Sequence, residues 1–299
     1  MIDADPNLFA ARRLVADTAG QRGEIHILNL SRGLTLKQAL LHTETRLLRQ
    51  HPGCFDTDVR MVFVLEGRTH LQFDGCEIEL QAGTERAGVF LPINRPEEGR
   101  KIFYRGRQHE LVLFCSSMWL EASGCPPGLI RMIRRSHLVP HYFALTPAIH
   151  AQLLKLQQSR NLPESWRGLH QQAQSVMLVA EVLQALFPGG WPGHDADSLQ
   201  EKRLQKLLAL LHDADSEPLT LEELARLCHS NTTTLQADFQ TAYGLSIARY
   251  RREYRLYRAR DALRRQATVA EAALLAGYRN PECFSKAFKR YFGRSPSKY

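Results

Sequence analysis

The sequence predicts an α+β chain: an N-terminal β-barrel with a helical pair, followed by an all-α domain carrying two helix-turn-helix motifs. Three observations point there. Short apolar runs separated by glycine turns fill residues 20–120. Helical periodicity takes over from Thr146. Residues 219–299 then contain one pattern twice.

In the first region, MVFVLEGRTHLQFDGCEIELQAG holds an apolar run, a Gly turn, alternation at Leu71 and Phe73, and a DG turn. Ile78 and Leu80 then alternate with Glu77 and Glu79, the period of a half-buried strand. VFLP, KIFYRG and HELVLFCSSMWL follow as further strands. Many short strands with turn residues between them predict a small barrel. Trp119, Phe103 and Tyr104 line a pocket or pack in the core; both readings are open. His70 is isolated in sequence, and His42, His51 and His109 have no histidine two residues away.

Thr146-Pro147 starts a helix with Ile149, Leu153, Leu154 and Leu156. After NLPES, a second runs from Trp166 to Phe187 with Val176, Leu178, Val179, Val182, Leu183 and Leu186. PGGWPGHDADS is a linker without core-forming residues. The expected domains are therefore 1–188, with the helical pair at about 146–187, a linker at 189–198, and 199–299. Residues 195–299 should fold and bind their partner alone.

In the repeat, Leu221, Glu223, Leu224 and Ala225 return 48 residues later as Val269, Glu271, Ala272 and Ala273. Leu235, Phe239 and Gly244 return 49 residues later as Phe284, Phe288 and Gly293, Arg279 being the extra turn residue. Each copy, at about 220–244 and 268–293, reads as helix, tight turn, helix. Thr220 caps the first helix of copy one, whose Leu221, Leu224, Ala225 and Cys228 share a face. Asn231 caps the next, with Leu235, Phe239 and Ala242 inside. In copy two Asn280 caps and Pro281 takes the first helical position, where its missing N–H costs nothing. Phe284, Ala287, Phe288 and Tyr291 form that inner face. A helix expected from Ser246 to Arg265 joins the copies, roughly 30 Å long at 1.5 Å per residue. One turn of B-DNA is about 34 Å. Such a rod can hold two reading helices in successive major grooves. The outward residues are then DNA-binding candidates: Thr232, Thr233, Gln236, Ala237 and Gln240 in copy one, Arg279, Glu282, Ser285, Lys286, Lys289 and Arg290 in copy two.

These residues resemble the AraC/XylS family of bacterial transcription regulators. Copy two carries the likeness most strongly, in Ala273, Gly277, Tyr278, Phe284, Ser285, Phe288, Lys289, Phe292, Gly293, Ser295, Pro296 and Tyr299. Arg255, Leu256, Ala259 and Leu263 of the joining helix fit as well. Departures are His229 and Ser230, where the family has Gly and an apolar residue, and Ala272, where it has a larger aliphatic. Leu65, Gly67, Gly75, Leu80, Gly83, Leu91 and Pro92 resemble the spacing of the cupin-like sensor domain found in many such regulators. The helical pair resembles the family's dimerisation element; that it simply covers the barrel is an equal alternative. The arrangement is also similar to the siderophore-responsive subgroup. The resemblance implies a DNA-binding transcription regulator, an activator that contacts RNA polymerase and answers to a small-molecule effector.

Charge agrees with a nucleic-acid partner. Residues 1–198 hold 21 Lys+Arg against 20 Asp+Glu, and residues 199–299 hold 18 against 11. Nearly all of the formal +8 therefore sits with the paired motifs, as phosphate binding requires. No apolar run reaches the length of a membrane span, and the start MIDADPNLFAARR has no signal-peptide core. The six cysteines show no CxxC pair, which favours reduced thiols over disulfides or metal in a cytoplasmic protein. No nucleophile elbow, P-loop or HExxH is present. The expectation is double-stranded promoter DNA as partner, RNA polymerase and a small effector besides, a homodimer left open, no membrane, no cofactor, no bound metal, no catalytic residues and no enzyme activity. The rival readings are a regulator governed by a protein partner, a cupin-type enzyme or suicide alkyl-transfer repair protein fused to a DNA module, and an architectural DNA binder.

Overall fold

The structure is a computed structural model that describes residues 11–18, 20–51, 58–73, 75–93, 99–190, 199–212, 219–264, 266–292 and 295–298. Its chain divides into two compact units. The first comprises residues 1–123, 136–190 and 291–293, the second 124–135, 191–290 and 294–299. The segment 124–135 lies within the range expected for the sensor domain, yet it groups with the C-terminal unit. Of the linker expected at 189–198, residues 191–198 lie outside the described residues, as do Asp74, Gly293 and Tyr299.

Eleven strands are described: β1 Ala11–Thr18, β2 Gln21–Ser31, β3 Leu34–Thr43, β4 Leu47–His51, β5 Val59–Glu66, β6 Arg68–Phe73, β7 Cys76–Gln81, β8 Gly88–Pro92, β9 Gly99–Phe103, β10 Gly106–Cys115 and β11 His141–Phe143. They form a seven-stranded sheet, β1-β2-β3-β10-β5-β8-β11, and a four-stranded sheet, β4-β9-β6-β7. The sheets share one core: Val62, Val64, Val89, Leu91 and Val112 of the first meet Leu71, Ile78 and Leu80 of the second. The alternate residues Leu36, Phe63, Leu111 and Leu113 are buried too. Burial on both faces explains why β5 reads as a continuous apolar run rather than an alternation. Gly67 turns β5 into β6 with φ +81°, and a Cβ there would strike the Arg107 carbonyl.

Two differences from the sequence reading are local. The run HELVLFCSSMWL is not one strand: β10 stops at Cys115 and Trp119 lies on helix α1, Ser117–Ala122. Ser116 decides this, because its Oγ accepts the Trp119 N–H at 3.1 Å and so starts a helix. Strand β1 was not expected; its charged sequence ARRLVADT has no strict alternation, and pairing to β2 along its length makes it a strand.

Helix α2 spans Pro127–Arg135, α3 Pro147–Gln158 and α4 Glu164–Leu186. Thr146 caps α3 as expected, accepting the Ile149 N–H at 3.3 Å. Helix α4 packs on α3 and meets β2 and β11. Leu178, Val179 and Val182 face inward, but Leu154 and Val176, expected on the apolar faces, are exposed. The second unit adds α5 Leu199–His212, α6 Leu221–Leu227, α7 Thr232–Tyr243, α8 Ile247–Arg264, α9 Val269–Leu275 and α10 Pro281–Phe292.

Candidate nucleic-acid interface

Each copy of the repeat folds as helix, turn, helix, and the local chemistry of the two is nearly identical. Thr220 and Thr268 each close a capping box, with Glu223 and Glu271 at the third helical position. The backbone and hydroxyl of the threonine hold each carboxyl below its usual range. Asn231 accepts the Thr234 N–H at 2.7 Å and Asn280 accepts the Glu282 N–H at 2.7 Å. These caps start α7 and α10, the second helices of each motif. Between the helices, Ser230 N–H donates to the Ala225 carbonyl and Tyr278 N–H to the Ala273 carbonyl. The chain must turn left-handed just before each of these residues, at His229 (φ +51°) and Gly277 (φ +78°).

The inner faces differ slightly from expectation. In α7, Leu235, Phe239 and Tyr243 are buried, and Ala242 is only partly so. In α10, Phe284, Phe288 and Phe292 are buried, while Ala287 and Tyr291 lie half-buried. The 18 residues of α8 span about 27 Å. Its cap is Ser246, whose Oγ accepts the Arg249 N–H. Arg260 of this helix is buried with its guanidinium 4.7 Å from the centre of the Tyr257 ring and so is withdrawn from solvent.

The outward residues of copy one come together on one face. Thr232, Thr233, Gln236, Ala237 and Gln240 line a single open groove of ≈ 410 Å³, completed by Leu221 and Ser246. Among the described residues, no charged side chain lines it. On copy two, Arg279, Glu282, Lys286, Lys289 and Arg290 are exposed and Ser285 is half-buried. Thus one face offers amides, hydroxyls and a methyl, and the other offers cations beside one carboxylate.

Three supports of the first motif were not read from the sequence. Helix α5 had a signal, since Leu204, Leu207 and Leu211 recur at helical spacing and are buried. It sends Arg203 to Asp238 of α7 at 2.8 Å and Gln200 to the same carboxylate at 2.9 Å. At its end, His212 stacks on Tyr250 and Tyr254 of α8 and lies 2.6 Å from the Tyr250 hydroxyl. Burial, with the Arg134 guanidinium beside it, pushes the imidazole down to about 4. Helix α2 is the third support. Arg131 donates to the Thr241 carbonyl near the end of α7, and Arg134 lies 5.0 Å from the centre of the Tyr250 ring. No local pattern ties α2 to a motif more than a hundred residues away.

This is a two-part architecture, a double β-sheet unit and a paired helix-turn-helix unit. Residues 224–299 match the family described as "Helix-turn-helix domain". The chain is 25% identical over 246 residues to the Msm operon regulatory protein of Streptococcus mutans, covering 79% of this chain and 82% of that one. It is 30% identical over 167 residues to the transcriptional activator RhaS of Escherichia coli, covering 48% of this chain and 60% of RhaS. Among solved structures, ToxT from Vibrio cholerae with an unsaturated fatty acid bound superposes with a TM-score of 0.49 at 11% identity, covering 90% of this chain and 95% of that one. Residues 224–299 are therefore a helix-turn-helix domain, and the chain is similar to bacterial transcription regulators both in that domain and, toward the Msm operon regulatory protein, over most of its length.

Proposed function

We propose that the chain is a sequence-specific activator that binds promoter DNA in the cytoplasm, contacts RNA polymerase, and is governed by a small-molecule effector in its N-terminal unit. The observation that carries this reading is the pair of outward faces on the repeated motif. The groove of α7 has the amide and methyl chemistry that reads adenine and thymine edges. The cations of α10 suit phosphate or guanine. Selection from random duplex DNA by the full-length protein tests it. The expected result is an enriched motif with two parts about one helical turn apart. Salt-sensitive binding without any enriched sequence would show an architectural binder instead.

A non-catalytic role is part of this reading. His70, a buried histidine of β6, is 3.1 Å from the Tyr104 hydroxyl and 3.4 Å from Glu79. Among the described residues, no three His, Cys, Asp or Glu side chains stand together as a metal site. None of the described helices is long and apolar enough to cross a membrane.

The homodimer reading is supported by α4. Trp166, Leu169, Val176 and Met177, at intervals of three, seven and one residues, share the side of α4 turned to solvent, with Trp166 and Leu169 more than half exposed. A stripe at that spacing suits a second helix. Leu169→Glu should convert a dimer to a monomer in sedimentation without loss of helical signal. A wild-type protein that is monomeric at micromolar concentration would remove this part of the proposal.

A further inference from the structure

The space between the two sheets of the N-terminal unit is not purely apolar. Glu110 of β10 is buried, at a register shift in its pairing with β5. Such a bulge re-aims the side chain beside it. The carboxylate meets Lys101 of β9, on the opposite sheet, at 2.6 Å. It also accepts the Thr69 hydroxyl at 2.6 Å. That set already satisfies one carboxylate with one cation and a neutral donor. A second lysine, Lys37 of β3, stands beside it, 3.8 Å from the other carboxylate oxygen. Among the described residues the Lys37 ammonium has no hydrogen-bond acceptor, and its side chain is 17% exposed. Burial, Lys101 and Arg60 together push that ammonium down to about 8 against the pull of Glu110. Burial alone would raise the Glu110 carboxyl, but Lys101 and Lys37 overcome it and hold it at about 2.

Two lysines thus share one carboxylate in a desolvated place. Surplus buried charge of one sign is unfavourable unless a partner of opposite sign arrives. Beside Lys37 lies an apolar wall. Ile25 and Leu47, both half-buried, pack on Ala39, Leu41 and Phe103. Ile25 pairs with Ala39, two residues along β3 from Lys37. A charged group with unused donors, reachable from solvent and next to partly exposed apolar surface, is the chemistry of a ligand site.

We propose, resting on the effector-controlled reading above, that this unit binds a small organic carboxylate, with its charge on Lys37 and its apolar body along Ile25, Leu47 and Phe103. Lys101 serves mainly to hold Glu110, and Lys37 is the residue kept for the ligand. The two lysines therefore answer differently to substitution. Losing Lys101 strips a buried carboxylate of its bonded partner. Losing Lys37 removes a like charge and leaves the Lys101–Glu110 pair intact.

The test uses the full-length protein at constant ionic strength. Thermal unfolding is followed with straight-chain carboxylates from acetate to octanoate, each set against its primary amide. At least one carboxylate should raise the Tm and its amide should not. Lys37→Met should keep or raise the ligand-free Tm and weaken carboxylate binding about ten-fold or more, a loss of about 1.4 kcal/mol. Lys101→Met should lower the ligand-free Tm. Protection by amides equal to that by acids, protection by no acid in the series, or a Lys37→Met protein as destabilised as Lys101→Met would each overturn the proposal. DNA affinity with and without the protective acid separates the two readings. A bound acid that leaves DNA affinity unchanged keeps the anion site and removes the effector role.

Discussion

The two helix-turn-helix copies share their caps and their turn geometry but differ in what surrounds them. Copy two makes its left-handed turn residue with Gly277, where a glycine has no steric cost. Copy one makes the same turn with His229, and a Cβ in that conformation is crowded. Copy one is instead tied down from outside, by Arg203 and Gln200 of α5, by Arg131 of α2 and by the His212–tyrosine stack. Copy two ends in exposed cations; copy one offers a groove without charge. The difference teaches that one motif can carry a strained turn when tertiary contacts hold its second helix. It also suggests that the copies divide reading and holding between them.

The largest effect expected concerns the supports of copy one. His212 in the folded protein takes a proton only near pH 4, whereas an unfolded histidine does so near 6.5. Between those values the unfolded chain binds more protons, so stability falls as pH drops from about 6.5 to 4. The loss is on the order of 3 kcal/mol across the window. His212→Phe should flatten that part of the pH–stability curve measured by denaturant unfolding. An unchanged slope would show that the stack is not what ties copy one to acid stability.

The division of labour comes next in size. Gln236→Ala should relax preference at one or two base pairs by roughly 1–3 kcal/mol and leave the salt dependence alone. Lys289→Ala should weaken all sequences alike and reduce the log–log salt slope by about 0.9. Titrations of both variants over a salt series and a panel of altered sites decide. Loss of discrimination in Lys289→Ala, with Gln236→Ala behaving as wild type, would reverse the assignment.

The turns give the smallest effects, of opposite sign. Gly277→Ala should cost about 1–2 kcal/mol from backbone strain. Its Cβ would meet the Arg255 guanidinium at 3.0 Å, a contact that a flexible side chain can relieve. His229→Gly should gain about 0.5–1 kcal/mol, the relief of strain less the added entropy of the unfolded chain. Equal responses at the two positions would show that the turns are not distinguished by strain.

What the sequence determined by itself is local or periodic. The caps at Thr220, Asn231 and Asn280 bind backbone groups within three residues, so their spacing alone reveals them. The faces of α7 and α10 follow from a repeat of 3.6 residues, which is why the outward candidates are found together. The turn at His229 was visible as a departure from the family pattern, and the strand pairs around Gly67 were visible as alternation and turn residues. The tertiary structure decided the rest. It made β1 a strand by giving it β2 as a partner. It turned Leu154 and Val176 outward, because α3 and α4 bury only one side each. It placed α2 against α7 and Lys37 beside Glu110. Contacts such as these join residues from tens to more than a hundred positions apart, and no local propensity encodes which distant partner a charged or apolar side chain will meet.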